Sequence, residues 1–334
     1  MLICPQISEQ PLMLSSQTFT SWAKALGFAE VGFCPPDPFE HARQVVASQE
    51  PLAERRQLRF APQEDFPQAK SIAVLLWPYI PVQPGGEGTA FVDSYYQASN
   101  AAYHAARTLE SSVLDAGCFA KGNVSYPAKE AAIRARMGRI GLNSLLITPK
   151  YGSRVVIILM VTGIEIPQAP VGYAPQTCLE CGKCAKACPS GALGERGMSH
   201  PERCLRNFMM EGVVVPDELR AKIGMRLIGC DICQRVCPLQ SNAPEKREEP
   251  YLLRSFITED AAAFSSAVSK LAEEIGRNAA RPQRVRAQAA LLAGNAKDKT
   301  YLPVLYQWAQ SPFEAVREHA LWAIKQIEFA GDNT

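Results

Sequence analysis

The sequence predicts an α+β chain in three parts, and three observations predict it. Strand-like and helix-like segments alternate up to about residue 165. Eight cysteines crowd into residues 178–237 at metal-ligand spacings, and the stretch beyond them is helical and repeats itself. The parts are residues 1–166, an α/β sandwich; residues 167–240, the cysteine-rich domain; and residues 241–334, a helical domain.

The chain has 334 residues, 47% of them apolar and 20% charged, more than one average domain of roughly 100–200 residues needs. Its formal charge of +2 excludes a strong overall field, so an anionic partner must find a local patch. The start, "MLICPQISEQPLML", is interrupted by prolines and polar residues and lacks the basic onset and apolar run of a signal peptide. The longest apolar run, "VVIILMV" from Val155 to Val161, is far short of the ~20 residues of a spanning helix, and its β-branched content suits a buried strand. Of the 11 cysteines only Cys4, Cys34 and Cys118 lie outside the cluster, a distribution that speaks for metal binding rather than secreted disulfides. The expectation is a cytoplasmic protein in a reducing compartment.

The elements follow in order. Residues 16–27 have amphipathic helical spacing and end at Gly27, and "FAEVGF" then reads as a strand running into Pro35-Pro36. "SIAVLLW", 71–77, is a buried strand stopped by Pro78, and "PVQPGGEGT" is a loop. A long helix is predicted from about Asp93 to Ala116, with Tyr96 and Tyr103 seven apart on one core-facing side. "AKEAAIRARMG" is a helix closed by Gly138, and the strands "SLLIT" and "RVVIILMVT" follow.

Pro167 to Pro175 reads as a linker, and "LQSNAPEKREEP" after Pro238 as a second boundary. In the tail, "VRAQAALLAGN" at Val285 recurs as "VREHALWAIKQ" at Val316, a period of 31 that marks stacked helix pairs of the HEAT kind. One or two such repeats rarely stand alone, so the tail is expected to dock on the rest of the chain.

The cysteines carry the strongest signal. "CLECGKCAKACP" places Cys178, Cys181, Cys184 and Cys188 at the spacing C-x2-C-x2-C-x3-C-P, which bacterial ferredoxins use for a 4Fe–4S cube. Cys204 and then "CDICQRVCP", with Cys230, Cys233 and Cys237, supply a second set. In two-cluster ferredoxins the fourth cysteine of a run ligates the other cluster. By that logic Cys178, Cys181, Cys184 and Cys237 hold one cube and Cys188, Cys204, Cys230 and Cys233 the other, with no ligand left over. Zinc knuckles or disulfides would have to explain two Cys-Pro endings and a count that fits two cubes. Two adjacent cubes form a short electron wire, with the acceptor expected in the α/β part.

"RMGRIGLNSLLITPKYGS", "CLECGKCAKACPSGAL", "ERCLRNFM", "PDELRAKIGMRLIGCDICQRVCP" and "VREHALWAI" together resemble the epoxyqueuosine reductases, in the same order along the chain. The resemblance implies an oxidoreductase with two 4Fe–4S clusters and cobalamin that reduces the epoxide of a modified base in tRNA to give queuosine. It also implies an N-terminal corrinoid-binding domain related to that of reductive dehalogenases, a ferredoxin-like double-cluster domain and a C-terminal HEAT-like repeat that grips tRNA. Asp231, between two cluster ligands, would then face the corrinoid, and Gly138, Gly141, Asn143 and Thr148 would form another wall. Tight packing of a helix against a strand is the competing use of the glycines.

Two departures stand out. The family's Gly-Leu-Gly-Trp-Ile-Gly-Lys-Asn stretch reads here Arg136-Met137-Gly138-Arg139-Ile140-Gly141-Leu142-Asn143. The family's proton-donor aspartate upstream of it is missing too, for no aspartate lies between Asp115 and Asp217. Epoxide opening needs a proton on the leaving oxygen, and Tyr126, beside the vacated place, is the candidate donor, against a plain role in fixing the turn before Pro127. Arg277, Arg281, Arg284 and Arg286 are candidate phosphate contacts for tRNA, against a solvated helix face. His104 and His319 read as structural. No dinucleotide or flavin fingerprint occurs, so reduction is expected from an external protein such as a flavodoxin or ferredoxin. The alternative is an iron–sulfur electron-transfer or reactivation protein without its own corrinoid.

Overall fold

The computed structural model describes residues 14–48, 58–166, 178–194, 197–198, 200–240 and 249–331. The Pro167–Pro175 linker and most of the boundary after Pro238 lie outside the described residues. Two compact units emerge, and neither is one continuous stretch. The first comprises residues 1–78, 101–139 and 156–176; the second comprises 79–100, 140–155 and 177–334. Residues 79–100 and 140–155, grouped by the sequence with the α/β part, thus cluster with the cysteine region and the tail.

In the first unit a four-stranded sheet runs in the order Glu30–Cys34, Ser71–Pro78, Val155–Thr162, Ala120–Gly122. The first pair is antiparallel, with Glu30 opposite Leu76 and Cys34 opposite Ile72. Ala120–Gly122 is antiparallel to its neighbour, with Ala120 opposite Thr162. Ser71–Pro78 reads as an almost unbroken apolar run because its first six residues are all buried, so neither face of the strand is wet. The Ser16–Ala25 helix starts where the Ser15 hydroxyl accepts the Thr18 N–H at 3.1 Å, and it covers the sheet with Phe19 and Ala23. Gly27 ends the turn at φ +106, and a Cβ there would lie 2.7 Å from the Trp77 ring, so both backbone and space demand glycine. The Ala128–Arg134 helix is shorter than the expected one, because Arg136 at φ +59 makes the turn ahead of Gly138.

The second unit contains a sheet that sequence reasoning missed. Thr89–Val92, whose first residue ends the expected loop, pairs in parallel with Arg226–Ile228 and antiparallel with Tyr251–Leu252. All four residues of Thr89–Val92 are buried. The Ser94–Asp115 helix follows as expected. Of the two tyrosines expected on its core-facing side, Tyr96 is buried, but Tyr103 is 41% exposed. Seven residues bring two side chains to one helix face, yet a face is buried only where something packs on it.

The tail forms the helices Ala261–Ile275, Pro282–Ala296, Leu302–Trp308 and Glu314–Gly331. One apolar core joins Val268, Leu271, Val285 and Ile327 of these helices to Leu205, Met209 and Leu227 of the cysteine region, so the tail docks as expected. At Gly294 a Cβ would sit 2.8 Å from the Ala323 backbone, which keeps the second and fourth helices in close contact. His319 pins this packing. Its Nε2 accepts the Val215 N–H at 2.9 Å and its Nδ1–H donates to the Ala287 carbonyl at 2.9 Å, which fixes a neutral tautomer.

Burial, with some help from the Arg220 charge, lowers His319 from 6.5 to about 4, against the Ala287 bond that raises it. Between those values the unfolded chain binds a proton that the native one does not. The contribution of His319 is therefore complete above pH 6.5 and lost as pH falls towards 4, by about 3 kcal/mol in all. Urea unfolding at pH 7, 5.5 and 4.5 should show this slope, and His319→Gln should flatten it.

Candidate double-cluster site

The eight cysteines are positioned by short helices and by proline. Lys183–Ala187 carries Cys184, and Gly182 enters it at φ +70. Cys188 cannot continue that helix, because the ring of Pro189 disfavours the helical region for the residue before it; Cys188 takes φ −67, ψ 111 and the chain leaves. The spacing thus delivers three thiols to one place and sends the fourth elsewhere. Cys204 precedes Leu205–Glu211 in an extended conformation, and Ile232–Arg235 carries Cys233 before Cys237-Pro238.

Cys178, Cys181, Cys184 and Cys237 line one shared cavity, together with Asn143 and Ile147. Burial raises the Cys184 thiol, and the charges of Cys178 and Cys237 raise it further. The other four thiols form a second neighbourhood. Burial pushes Cys233 far up, and so do the Cys230, Cys204, Cys184 and Cys188 charges. Cys230 rises to about 11, again by burial first, with Cys204 and Asp231 adding to it. Cys188 is lowered, for hydrogen bonds from Ser190 and from backbone N–H groups outweigh its burial. Thiols crowded in this way cannot all ionise without a compensating cation, which an iron centre supplies. Among the described residues no three His, Cys, Asp or Glu are arranged around a single metal ion. The C-x2-C-x2-C-x3-C-P spacing of the first set is that of a cube rather than of paired zinc knuckles.

A polar network braces the second motif. The Tyr79 hydroxyl donates to Gln234 Oε1 at 3.0 Å, and Ser153 Oγ donates to the same atom at 3.3 Å. Gln240 Nε2 donates to Ser153 Oγ at 2.8 Å, and Arg154 Nε donates to Gln240 Oε1 at 2.9 Å. Gln234 and Gln240 flank Cys237, so residues 79 and 153–154 belong with the cysteines in space. None of these pairings has a local signature in the sequence.

The expected corrinoid wall is distributed differently. Gly138 is buried in the first unit. At Gly141 a Cβ would meet Ile147 Cδ1 at 2.2 Å, so close packing within its own turn accounts for the glycine. The Thr148 hydroxyl is used locally: it donates to the Gly152 carbonyl at 3.2 Å and accepts the Tyr151 N–H at 3.0 Å. Asn143 lines the cavity of the first four thiols. Asp231 is buried, with Oδ2 2.6 Å from Arg235 Nε and Oδ1 without a hydrogen-bond partner among the described residues.

Beside Asp231 lies a second buried acid, Asp93, which the sequence reading overlooked. Burial and the Asp231 charge raise it to about 6, while the Tyr95 N–H bond and Arg206 oppose the rise. Gly229 at φ +86 allows the approach, since a Cβ there would touch Asp93 Cβ at 2.6 Å. Asp93 could have been noticed as an acid at the start of a helix, where its Oδ1 accepts the Tyr95 N–H at 3.0 Å.

In the first unit Tyr126 is 3% exposed and donates to Asp65 at 2.5 Å, and its ring stacks on Phe39 with centroids 6.1 Å apart. Burial comes first, then the bond to Asp65 and its charge, in raising the phenol far above its ordinary range, against Arg59. The arginines of the tail divide. Arg286 lies over the Phe264 ring at 4.3 Å, and Arg284 donates to the Asn278 carbonyl at 2.6 Å, so both brace the tail. Arg277 and Arg281 are exposed.

Fold and site define an iron–sulfur oxidoreductase: residues 177–240 match the family described as a 4Fe-4S double cluster binding domain. Over nearly its full length the chain is similar to epoxyqueuosine reductases. The enzyme of Bacillus subtilis is 28% identical over 336 residues, covering 92% of this chain and 86% of the relative. That of Bacillus cereus is 29% identical over 273 residues, 72% of this chain and 70% of the relative. A selenomethionine-labelled epoxyqueuosine reductase superposes with a TM-score of 0.77 at 26% identity, covering 95% of this chain and 92% of its own. Another, solved with an epoxyqueuosine-modified tRNA stem loop, gives 0.73 at 26% identity, with coverages of 93% and 89%. Among the described residues no helix is long and apolar enough to cross a membrane.

Proposed function

We propose that this chain reduces epoxyqueuosine in tRNA to queuosine in the cytoplasm, with electrons entering through two 4Fe–4S clusters from an external flavodoxin- or ferredoxin-like donor. The observation that carries this is a cavity shared by Cys178, Cys181, Cys184 and Cys237, set in a chain similar to epoxyqueuosine reductases over nearly its full length. Cys178, Cys181, Cys184 and Cys237 would hold one cube, and Cys188, Cys204, Cys230 and Cys233 the other. These clusters supply one-electron steps. The protein's own part is to bury the thiols, crowd them so that they require a cationic centre, and brace their loops through Gln234 and Gln240.

For cobalamin the residues that fit are those with polar capacity to spare. Gly141 and Thr148 serve their own turns, whereas Asp231 keeps a buried carboxylate oxygen, unpaired among the described residues, beside Cys230. Asp231, with Asp93 behind it, is therefore the residue we assign to the corrinoid side. A bound corrinoid supplies a low-valent cobalt nucleophile. We assign delivery of the proton to the leaving oxygen to Tyr126, which keeps its proton at any working pH. The tail is read as a HEAT-like repeat, for Val285 and Val316, and Ala289 and Ala320, are fully buried at matching positions. Its exposed Arg277 and Arg281 are the residues left to meet tRNA phosphates.

The test is anaerobic incubation of the holoprotein with cobalamin, a chemical reductant and epoxyqueuosine-containing tRNA, followed by nucleoside mass spectrometry. Conversion to queuosine is expected. Unchanged epoxyqueuosine with reduced clusters and bound cobalamin would overturn the substrate. Absence of cobalamin binding would favour an electron-transfer protein.

A further inference from the structure

Asn143 sits in the tight turn that follows Gly141, where the Ser144 N–H donates to the Gly141 carbonyl at 2.8 Å and the Gly141 N–H donates to the Leu145 carbonyl at 3.0 Å. Its Oδ1 accepts the Leu145 N–H at 3.2 Å. That bond fixes which way the side-chain amide points, since an inverted amide would set N–H against N–H. The NH2 end therefore faces away from its own turn. The residue is 3% exposed, and Nδ2 is buried without a hydrogen-bond partner among the described residues. A buried amide donor left without an acceptor costs about 1–3 kcal/mol, so the native protein should give it one.

The same side chain lines the cavity of Cys178, Cys181, Cys184 and Cys237. The other side chains on that lining are Leu142, Ile147, Leu179, Pro238 and Leu239, which offer no acceptor, and Lys183, which is itself a donor. No described cysteine sulfur lies within hydrogen-bond distance of Nδ2, so the acceptor that chemistry offers is a sulfur of the cube these thiols would enclose.

We propose that Asn143 Nδ2–H donates a hydrogen bond to a sulfur of the cluster held by Cys178, Cys181, Cys184 and Cys237, and so raises the reduction potential of that cluster. This rests on the reading that these four thiols hold a cube. The donor stabilises negative charge on sulfur, and the reduced cluster carries one charge more than the oxidised one, so the bond strengthens on reduction. Asn143 is thus a positioning and tuning residue on the electron path. Its effect is confined to one of the two clusters.

The experiment is a redox titration of the anaerobic holoprotein followed by electron paramagnetic resonance, on wild type, Asn143→Ala and Asn143→Asp. The aspartate keeps an oxygen for the Leu145 N–H and removes the donor, so it preserves the turn if the alanine does not. Both variants should keep wild-type iron, and one cluster of the two should become harder to reduce. At a fixed applied potential near its midpoint, the reduced-to-oxidised ratio should fall by about tenfold, equivalent to ~59 mV for one electron. The other cluster should not move. Electron spin-echo modulation of the reduced wild-type protein should in addition show a weak nitrogen coupling that labelling of asparagine with 15N alters, a readout that needs no variant. Unchanged potentials for both clusters in iron-replete variants, or a wild-type spectrum insensitive to labelled asparagine, would overturn the assignment. Wild-type protein with iron for a single cube, or none, would instead overturn the cluster reading beneath it.

Discussion

Cys237→Ser is expected to destroy the cluster whose remaining ligands, Cys178, Cys181 and Cys184, lie far earlier in the chain. Iron per chain should fall from about eight to about four. The expectation follows from the shared cavity of these four thiols and from the extended conformation of Cys188, which Pro189 imposes and which takes that thiol out of the first set. The double variant Cys178→Ser with Cys237→Ser separates the alternatives. If both residues ligate one cube, the second substitution adds nothing to the first, the non-additivity expected of partners in one site, and about four irons remain. If each run holds its own cube, both are damaged and almost no iron survives. Cys118→Ser serves as the control, since Cys118 is a free thiol in the first unit.

The grouping of Cys178, Cys181, Cys184 and Cys237 was legible because it depends on residue type, spacing and a local rule about proline, all of which are written along the chain. The main strands were legible for a similar reason: Ser71–Pro78 and Val155–Thr162 are long apolar runs, and each is buried over most of its length. The sheet built on Thr89–Val92 was not, because its partners are three residues at Arg226–Ile228 and two at Tyr251–Leu252, too short to show a period.

Pairings between distant polar residues were equally invisible. Nothing near Asp93 announces Asp231, and nothing near Tyr126 announces Asp65, yet each pair controls the charge state of a buried group. Asn143 shows the intermediate case. The family resemblance marked it as a site residue, but the direction of its amide is set by the Leu145 N–H. The arginines of the tail mark the limit of composition as a guide: four in one stretch suggest a phosphate-binding face, and packing against Phe264 and hydrogen bonding to Asn278 withdraw two of them.

Tyr126→Phe is expected to lower turnover by ~100-fold while both clusters are kept, the usual size of a general-acid contribution. The substitution removes only a hydroxyl. Stability should drop by about 1 kcal/mol, because Asp65 loses one donor but retains Arg59, whose Nη2 lies 2.5 Å from Oδ1. The two numbers separate two roles. A tyrosine that merely ties the turn before Pro127 to Asp65 would change the unfolding free energy and leave turnover alone. A proton donor would lower turnover as well. Since burial and Asp65 hold the phenol far above its ordinary range, its ionisation cannot produce a limb in the pH–rate profile below pH 9, and the variant should lose rate evenly across that interval. Asp65→Asn completes the test. It leaves the phenol an amide oxygen to bond and removes the negative charge that raises the phenol, so the hydroxyl becomes a stronger acid. Turnover within about threefold of wild type in Asp65→Asn, against ~100-fold loss in Tyr126→Phe, would place the proton on Tyr126. Full turnover in Tyr126→Phe would remove it from the reaction and return it to the turn.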